Sequence, residues 1–307
     1  MLAQEGKRED IPRPTLHGQR KYDGTRIIII KEGDNVSING ARNWVNDYAR
    51  NYPEIVAEIR KLPVDNAVLD GELTYFKKGT GKDVFLTALA KPENRKGLEA
   101  KAMLFDVLWV DDDNLQQLSF ADRDEILKTI VPNKLKFVEA VKTVTKNKEK
   151  FFEDTKATQG EGVVLKEADS PYRQGARTPE WLKVKHWKDA DAIVVGYTKG
   201  EGARAATFGA LILAQRDKNG KLKYIGRAAG LKEAELRRML AKMKGLETKA
   251  AAPLVDAPAD LKAKAWVKPQ IVVEVKYYEK TSGGILRFPD YLRERTDKKP
   301  SECCIST

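Results

Sequence analysis

The hexapeptide Lys21-Tyr22-Asp23-Gly24-Thr25-Arg26, followed at once by the apolar run Ile27 to Ile30, constrains this chain more than any other stretch. The run reads as a buried strand. The motif therefore sets a lysine amine, a carboxylate, a flexible glycine and a fixed cation at the mouth of that strand. Those groups suit a covalent lysine–nucleotide intermediate: the amine attacks phosphorus, the arginine holds negative charge, and the glycine lets backbone come close to the nucleotide. Four fixed positions of this kind recur by chance about once in 10^5 windows, so the weight of the motif depends on the residues downstream of it.

With 307 residues there is room for two domains with their own cores. A formal net charge of +11 favours a polyanionic partner, either nucleic acid or an anionic membrane surface. A lysine-rich solvated surface would give the same count. No apolar run approaches the roughly 18 residues of a membrane helix, and the polar segment Met1 to Pro14 has no signal-peptide core. A cytoplasmic protein with no membrane partner is expected. The only cysteines, Cys303 and Cys304, are adjacent and lack zinc-ligand spacing; they read as free thiols in a mobile end. With only two histidines, His17 and His186, a histidine triad or histidine metal site is disfavoured.

The first part of the chain alternates strand and helix patterns. Arg26–Lys31 and Val36–Asn39 read as a strand pair around Gly33-Asp34-Asn35, and Pro53–Leu62 as a helix with proline in its first turn. Ala67–Phe76, Lys101–Val110, Phe137–Val144, Gly162–Lys166 and Trp181–Lys185 read as strands, and Ser119 opens a helix running through Ile130. The character changes near His186–Asp191. Beyond it lie the strand patterns Ala192–Tyr197, Gly209–Gln215, Leu222–Arg227 and Gln270–Tyr278, one helix at Lys232–Lys244, and a loop rich in Ala, Lys and Pro at Lys249–Ala265. A small β-barrel with one helix fits this second part.

Further short elements stand where phosphoryl chemistry could use them. Leu69-Asp70-Gly71-Glu72 places carboxylates in a strand, and Phe105-Asp106 lies in an apolar one. Glu161 and Lys166 sit at the two ends of another strand, while Lys183 and Lys185 share a face at period two. Arg293, Arg295, Asp297, Lys298 and Lys299 cluster near the C-terminus. Taken singly, Glu72 suits a strand-end ion pair, Phe105 a core, the paired lysines a solvated face, and the last cluster a basic tail. Taken together after a reactive-lysine motif, they suggest one lined pocket.

In this order the motifs resemble those of the ATP-dependent DNA ligases, within the covalent nucleotidyltransferase superfamily that also holds RNA ligases and mRNA capping enzymes. The resemblance is carried by Lys21–Arg26, Leu69–Leu73, Phe105–Leu108, Glu161–Lys166, Trp181–Lys185 and Arg293–Lys298, with Leu286-Arg287-Phe288-Pro289 leading into the last. It implies an α+β fold: a nucleotidyltransferase domain of antiparallel sheets and helices over residues 1–187, then an OB-fold domain over 188–307. It implies that Lys21 attacks the α-phosphate of ATP and holds AMP as a phosphoramidate. Glu72 and Arg26 would contact the ribose, Arg26 alternatively a phosphate, and Phe105 would stack on adenine. Lys183 and Lys185 would clamp the α-phosphate, and Glu161 would help bind Mg2+, with Mn2+ as a substitute. Arg295, Asp297 and Lys298 would orient the leaving pyrophosphate. AMP then passes to the 5′-phosphate of nicked duplex DNA, where Asp23 matters more, and the 3′-hydroxyl displaces it. The barrel must take two positions in this cycle, so a hinge near His186–Asp191 is expected.

The sequence departs from the family's pattern in places. Ala41-Arg42-Asn43-Trp44 stands where Ser-Arg-Asn-Gly is usual; Arg42 is kept and is expected to contact the nick phosphate. Gln19 stands where many relatives have Glu, and its amide would read adenine. About twenty residues precede Lys21, so a minimal two-domain, monomeric ligase is expected, with the basic stretch Lys77–Lys101 as a candidate DNA-facing loop. An RNA ligase or a GTP-using capping enzyme on the same scaffold is the alternative enzyme. A non-catalytic nucleic-acid-binding protein is the alternative of another class.

Overall fold

Residues Thr25–Glu32 show why the motif sits where it does. Ile27 and Ile29 are wholly buried while Ile28 and Ile30 are half-buried, so one face of this strand makes core and the other stays accessible. The computed structural model describes residues 1–41, 48–79, 83–84, 96–158, 160–250, 253–281 and 283–305. Arg42 and most of the Lys77–Lys101 stretch lie outside the described residues. The chain divides into two units, Met1–His186 and Trp187–Thr307.

The first unit holds two sheets. One has the strand order Leu2–Glu5, Arg177–Lys185, Gly162–Glu167, Leu16–Lys21, Thr143–Val144, in which only the first pair is parallel. The other runs Asn35–Gly40, Thr25–Glu32, Asn66–Lys77, Leu98–Val110, Asp113–Asn114, with Asp83–Val84 and Val138–Ala140 attached to its long strands. Its apolar face packs with the helix Pro53–Ile59 and with Leu127 and Ile130 of the helix Phe120–Ile130 around Ile29, Ile38, Leu69 and Leu104. Gly24, in the turn between Lys21 and Thr25, allows the two sheets to meet: a Cβ there would lie 2.3 Å from the Leu73 carbonyl oxygen and 2.9 Å from Glu72 Cγ. Within the protein, the close approach that requires this glycine is to the backbone of Leu73 and the side chains of Glu72 and Thr74.

Two expectations for this unit are corrected. The strand anticipated over Phe137–Val144 is two strands in different sheets, Val138–Ala140 and Thr143–Val144. The break follows from remote partners: the Glu58 carboxylate accepts from the amides of Lys136, Phe137 and Val138, and Val141 donates to the Leu104 carbonyl. The first helix ends at Ile59, since Lys61 and Leu62 turn back on Glu58 and Ile59. A helix over Lys148–Ala157 and strands over Leu2–Glu5 and Leu16–Lys21 were not anticipated.

In the second unit the strands run Glu247–Thr248, Ala265–Tyr277, Lys188–Lys199, Phe208–Arg216, Leu222–Ala228, Leu254–Val255, and Asp290–Glu294 joins the long strand Ala265–Tyr277. A bridge between Ala229 and Asp290 links two distant positions of this order. The helix Glu233–Lys244 buries Leu236, Met239 and Met243 against Val194, Leu213, Ile225 and Val273. The tail is not the loose end expected from its composition: Cys303 is 2% exposed and packs with Ile193, Ala214 and Val272, and burial pushes its thiol up to about 11. Cys304 remains exposed. Among the described residues no helix is long and apolar enough to cross a membrane.

Candidate active site

Lys21 closes the strand Leu16–Lys21 and pairs in register with Gly162, which brings it beside Glu161. Its Nζ donates to Glu161 Oε2, and Lys185 Nζ lies 2.8 Å from the other oxygen, Oε1. Burial raises the Glu161 carboxyl, but the two lysines outweigh it and hold the group below the usual carboxylate range. Lys183 shares the Lys185 face of the strand Arg177–Lys185, because Leu182 and Val184 between and beside them turn into the core. Its Nζ lies 2.9 Å from Glu5.

These lysines line a cavity of about 350 Å³ within the first unit, together with Gln19, Arg26, Glu72, Phe105 and Trp181. Arg26 and Glu72 face each other across neighbouring strands. The Arg26 guanidinium forks onto Asp70 (3.0 and 2.6 Å), also meets Tyr172 Oη at 3.1 Å, and donates to the Met1 carbonyl. Asp70 and Tyr172 thus fix the Arg26 side chain, and Tyr172 Oη donates to Asp70 Oδ2 at 2.7 Å. Burial lifts the Glu72 carboxyl to about 7, against the opposing pull of Lys21 and Arg26.

Phe105 stands edge-on to Trp181, ring centroids 6.1 Å apart. Lys166, 1% exposed, donates to the Phe105 carbonyl at 2.7 Å and lies 4.0 Å from the Trp181 ring centroid and 4.8 Å from that of Phe105. Burial lowers its amine to about 8. In the sequence Lys166 stands inside a motif with no role of its own, and a lysine ending an apolar run was the available signal. Asp70 likewise stands inside a motif without a role, and Tyr172 carries no local signal at all.

The cavity-lining residues do not include Asp23, which lies in the turn after Lys21. Arg295, Asp297 and Lys298 belong to the second unit and come together there. Arg295 forks onto Asp297 at 2.9 Å through both Nε and Nη2, and its Nη1 meets Asp191 at 2.8 Å. Lys298 binds the other Asp191 oxygen at 2.6 Å. The Arg295 hydrogen bonds bring the Asp297 carboxyl down to about 2. Asp191 was missed because its link to the cluster spans about a hundred residues of sequence.

Among the described residues no group of three or more His, Cys, Asp or Glu side chains could by itself hold a metal ion. Glu161 does not line the cavity itself, but its carboxylate, shared by Lys21 and Lys185, is an oxygen donor of the kind a hard cation takes through one carboxylate and substrate phosphates; a cation there would displace a lysine from one of its two oxygens.

Residues 1–185 match the model of the "ATP dependent DNA ligase domain" and residues 204–298 that of the "ATP dependent DNA ligase C terminal region". The multifunctional non-homologous end joining protein LigD of Mycolicibacterium smegmatis is 30% identical, over 98% of this chain and 39% of its own length. A DNA ligase of Thermococcus fumicolans is 30% identical, over 92% of this chain and 52% of its own. The chain thus spans about two fifths to a half of these relatives. The solved ligase domain of M. tuberculosis LigD is 27% identical, with a TM-score of 0.55, covering 100% of this chain and 97% of that one. These likenesses bear out the α+β reading of a nucleotidyltransferase unit followed by an OB-fold unit.

Proposed function

The chain belongs to the ATP-dependent DNA ligase family, and on that premise we propose that it seals nicks in duplex DNA through AMP carried on Lys21. The observation that supports this best is the grouping in one cavity of the amines of Lys21, Lys183 and Lys185 with the aromatic ring of Phe105. The cavity volume of about 350 Å³ suits a nucleotide.

In the first step the Lys21 amine, having lost a proton, attacks the α-phosphorus of ATP. An N–P bond forms, the P–O bond to pyrophosphate breaks, and AMP stays on the lysine. Lys183 and Lys185 hold the α-phosphate, Phe105 takes the adenine face, and Glu72 and Arg26 meet the ribose side. Glu161 would hold Mg2+, whose charge offsets that of the phosphates. Positioning and charge stabilisation carry such a reaction, so a site without histidine is sufficient. A 5′-phosphate oxygen at a nick next attacks the AMP phosphorus and frees Lys21. The 3′-hydroxyl then attacks that 5′-phosphate and AMP leaves. Asp23 and Arg42 serve these nick-dependent steps. Arg295, Asp297 and Lys298 serve the first, their two cations being opposite in sign to pyrophosphate.

Protein stripped of preloaded AMP with pyrophosphate, then incubated with Mg2+ and ATP labelled at the α-phosphate, should give a labelled band on a denaturing gel. Nicked duplex should discharge the label and appear sealed. The Lys21→Ala variant should give neither band nor seal; sealing that survives this substitution would sink the mechanism.

A further inference from the structure

Gln19 is 1% exposed and lines the nucleotide cavity, yet among the described residues its Oε1 has no hydrogen-bond partner. A buried amide oxygen left in that state is unfavourable unless a ligand supplies a donor. Which end of the amide is left over follows from its neighbours. Gln19 Nε2 donates to Thr143 Oγ1 at 2.9 Å and approaches Asp124 Oδ1 at 3.4 Å. Thr143 donates its single proton to the same Asp124 oxygen at 2.7 Å, so it can only accept from Gln19. Lys128, one turn along the same helix, binds the other Asp124 oxygen and holds this side chain in place. Turning the amide over would set Oε1 against two acceptors. Helix Phe120–Ile130 and strand Thr143–Val144 therefore dictate that Gln19 offers an acceptor as its unused group.

We propose that Asp124, through Thr143 and the Gln19 amide, is the positioning residue that sets base selectivity in this cavity, by leaving Gln19 Oε1 as an acceptor for the 6-amino group of adenine. This rests on the nucleotide reading of the cavity above. A purine with a 6-oxo group brings an acceptor to the same oxygen and is rejected. A glutamine not held in this way can present either end, so selectivity lies in the pair behind Gln19 as much as in Gln19 itself.

The test compares ATP with inosine triphosphate, which differs in having oxygen for the amino group at C6 and in the proton this places on N1. Labelled-adduct formation on the full chain gives kcat/KM for each. The wild type should prefer ATP by roughly 10- to 100-fold, the range expected for leaving one buried polar group unpaired. Asp124→Ala and Thr143→Val should each bring the ratio below about threefold, chiefly by admitting inosine triphosphate. Thr143→Val decides alone if thermal unfolding shows Asp124→Ala to be misfolded. A wild-type ratio near one, or a ratio unmoved in the folded variants, overturns the inference while leaving the cavity reading intact. No adduct with either nucleotide in the wild type overturns the cavity reading itself.

Discussion

Glu72 shows how one residue joins function to stability. Its carboxyl is lifted to about 7 from an ordinary 4.5, so between those values the folded chain keeps a proton that the unfolded chain has released. Stability from this group is therefore greatest below about pH 4.5 and is lost as pH rises through 7. Allowing for water reaching its partly exposed side chain, the loss by pH 8 is about 1 to 3 kcal/mol. Glu72→Gln removes the titration. Relative to wild type, the variant should gain that amount between pH 5 and pH 8 in urea unfolding, while losing adduct formation. An equal difference at both pH values would mean that Glu72 carries no buried proton. The place of Glu72 in the cavity was legible from its strand-borne motif. Its titration was not, because burial and the neighbours Lys21 and Arg26 are assembled by the fold.

At the scale of elements, helix Phe120–Ile130 is anchored through a wholly buried ion pair. Arg123 forks onto Asp106 of the strand Leu98–Val110 at 2.8 and 3.1 Å, both side chains are wholly buried, and Arg123 also donates to the carbonyls of Leu118 (2.6 Å) and Ser170 (3.1 Å). Truncating the arginine strands Asp106 without its main partner, so Arg123→Ala should lower unfolding free energy by about 3 to 5 kcal/mol. Loss of the Ser119 cap, whose Oγ accepts from the Asp122 amide, should remove only about 1 kcal/mol. Denaturant unfolding of both variants would refute the anchoring role if Ser119→Ala were the more damaging. The helix itself was legible from its cap and spacing, whereas its anchor was not. The same holds for the break near Val141, which is set by Glu58 and Leu104, and for the helix Lys148–Ala157. Of that helix only Lys148, Phe152 and Thr155 are buried, too few apolar positions to mark a face.

Across the whole molecule, the six motifs were readable because each is a short run with its own chemistry. Which of them the fold gathers is a matter of long-range packing, and no local pattern encodes it. Five bring residues to one cavity, while Arg295, Asp297 and Lys298 gather around Asp191 in the other unit. The apolar clusters divide the same way: those built on Ile29, Val163 and Trp181 lie within residues 1–186, and those built on Val194 and Ile193 within residues 187–307. A unit with its own cores and a fully self-lined cavity should fold and bind nucleotide without the rest of the chain. Residues 1–186 produced alone should therefore melt in one cooperative transition. ATP at a hundred times its Kd adds about 2.7 kcal/mol to a protein that binds only when folded. For a domain of this size that raises the melting temperature by roughly 5 to 10 °C. The Lys183→Ala and Lys185→Ala pair in the same fragment should shrink the shift, since both lysines line the cavity where the phosphates are proposed to sit. A fragment that melts cooperatively but ignores ATP would show that its cavity does not suffice for the nucleotide, and one that never folds would show that its cores depend on the second unit.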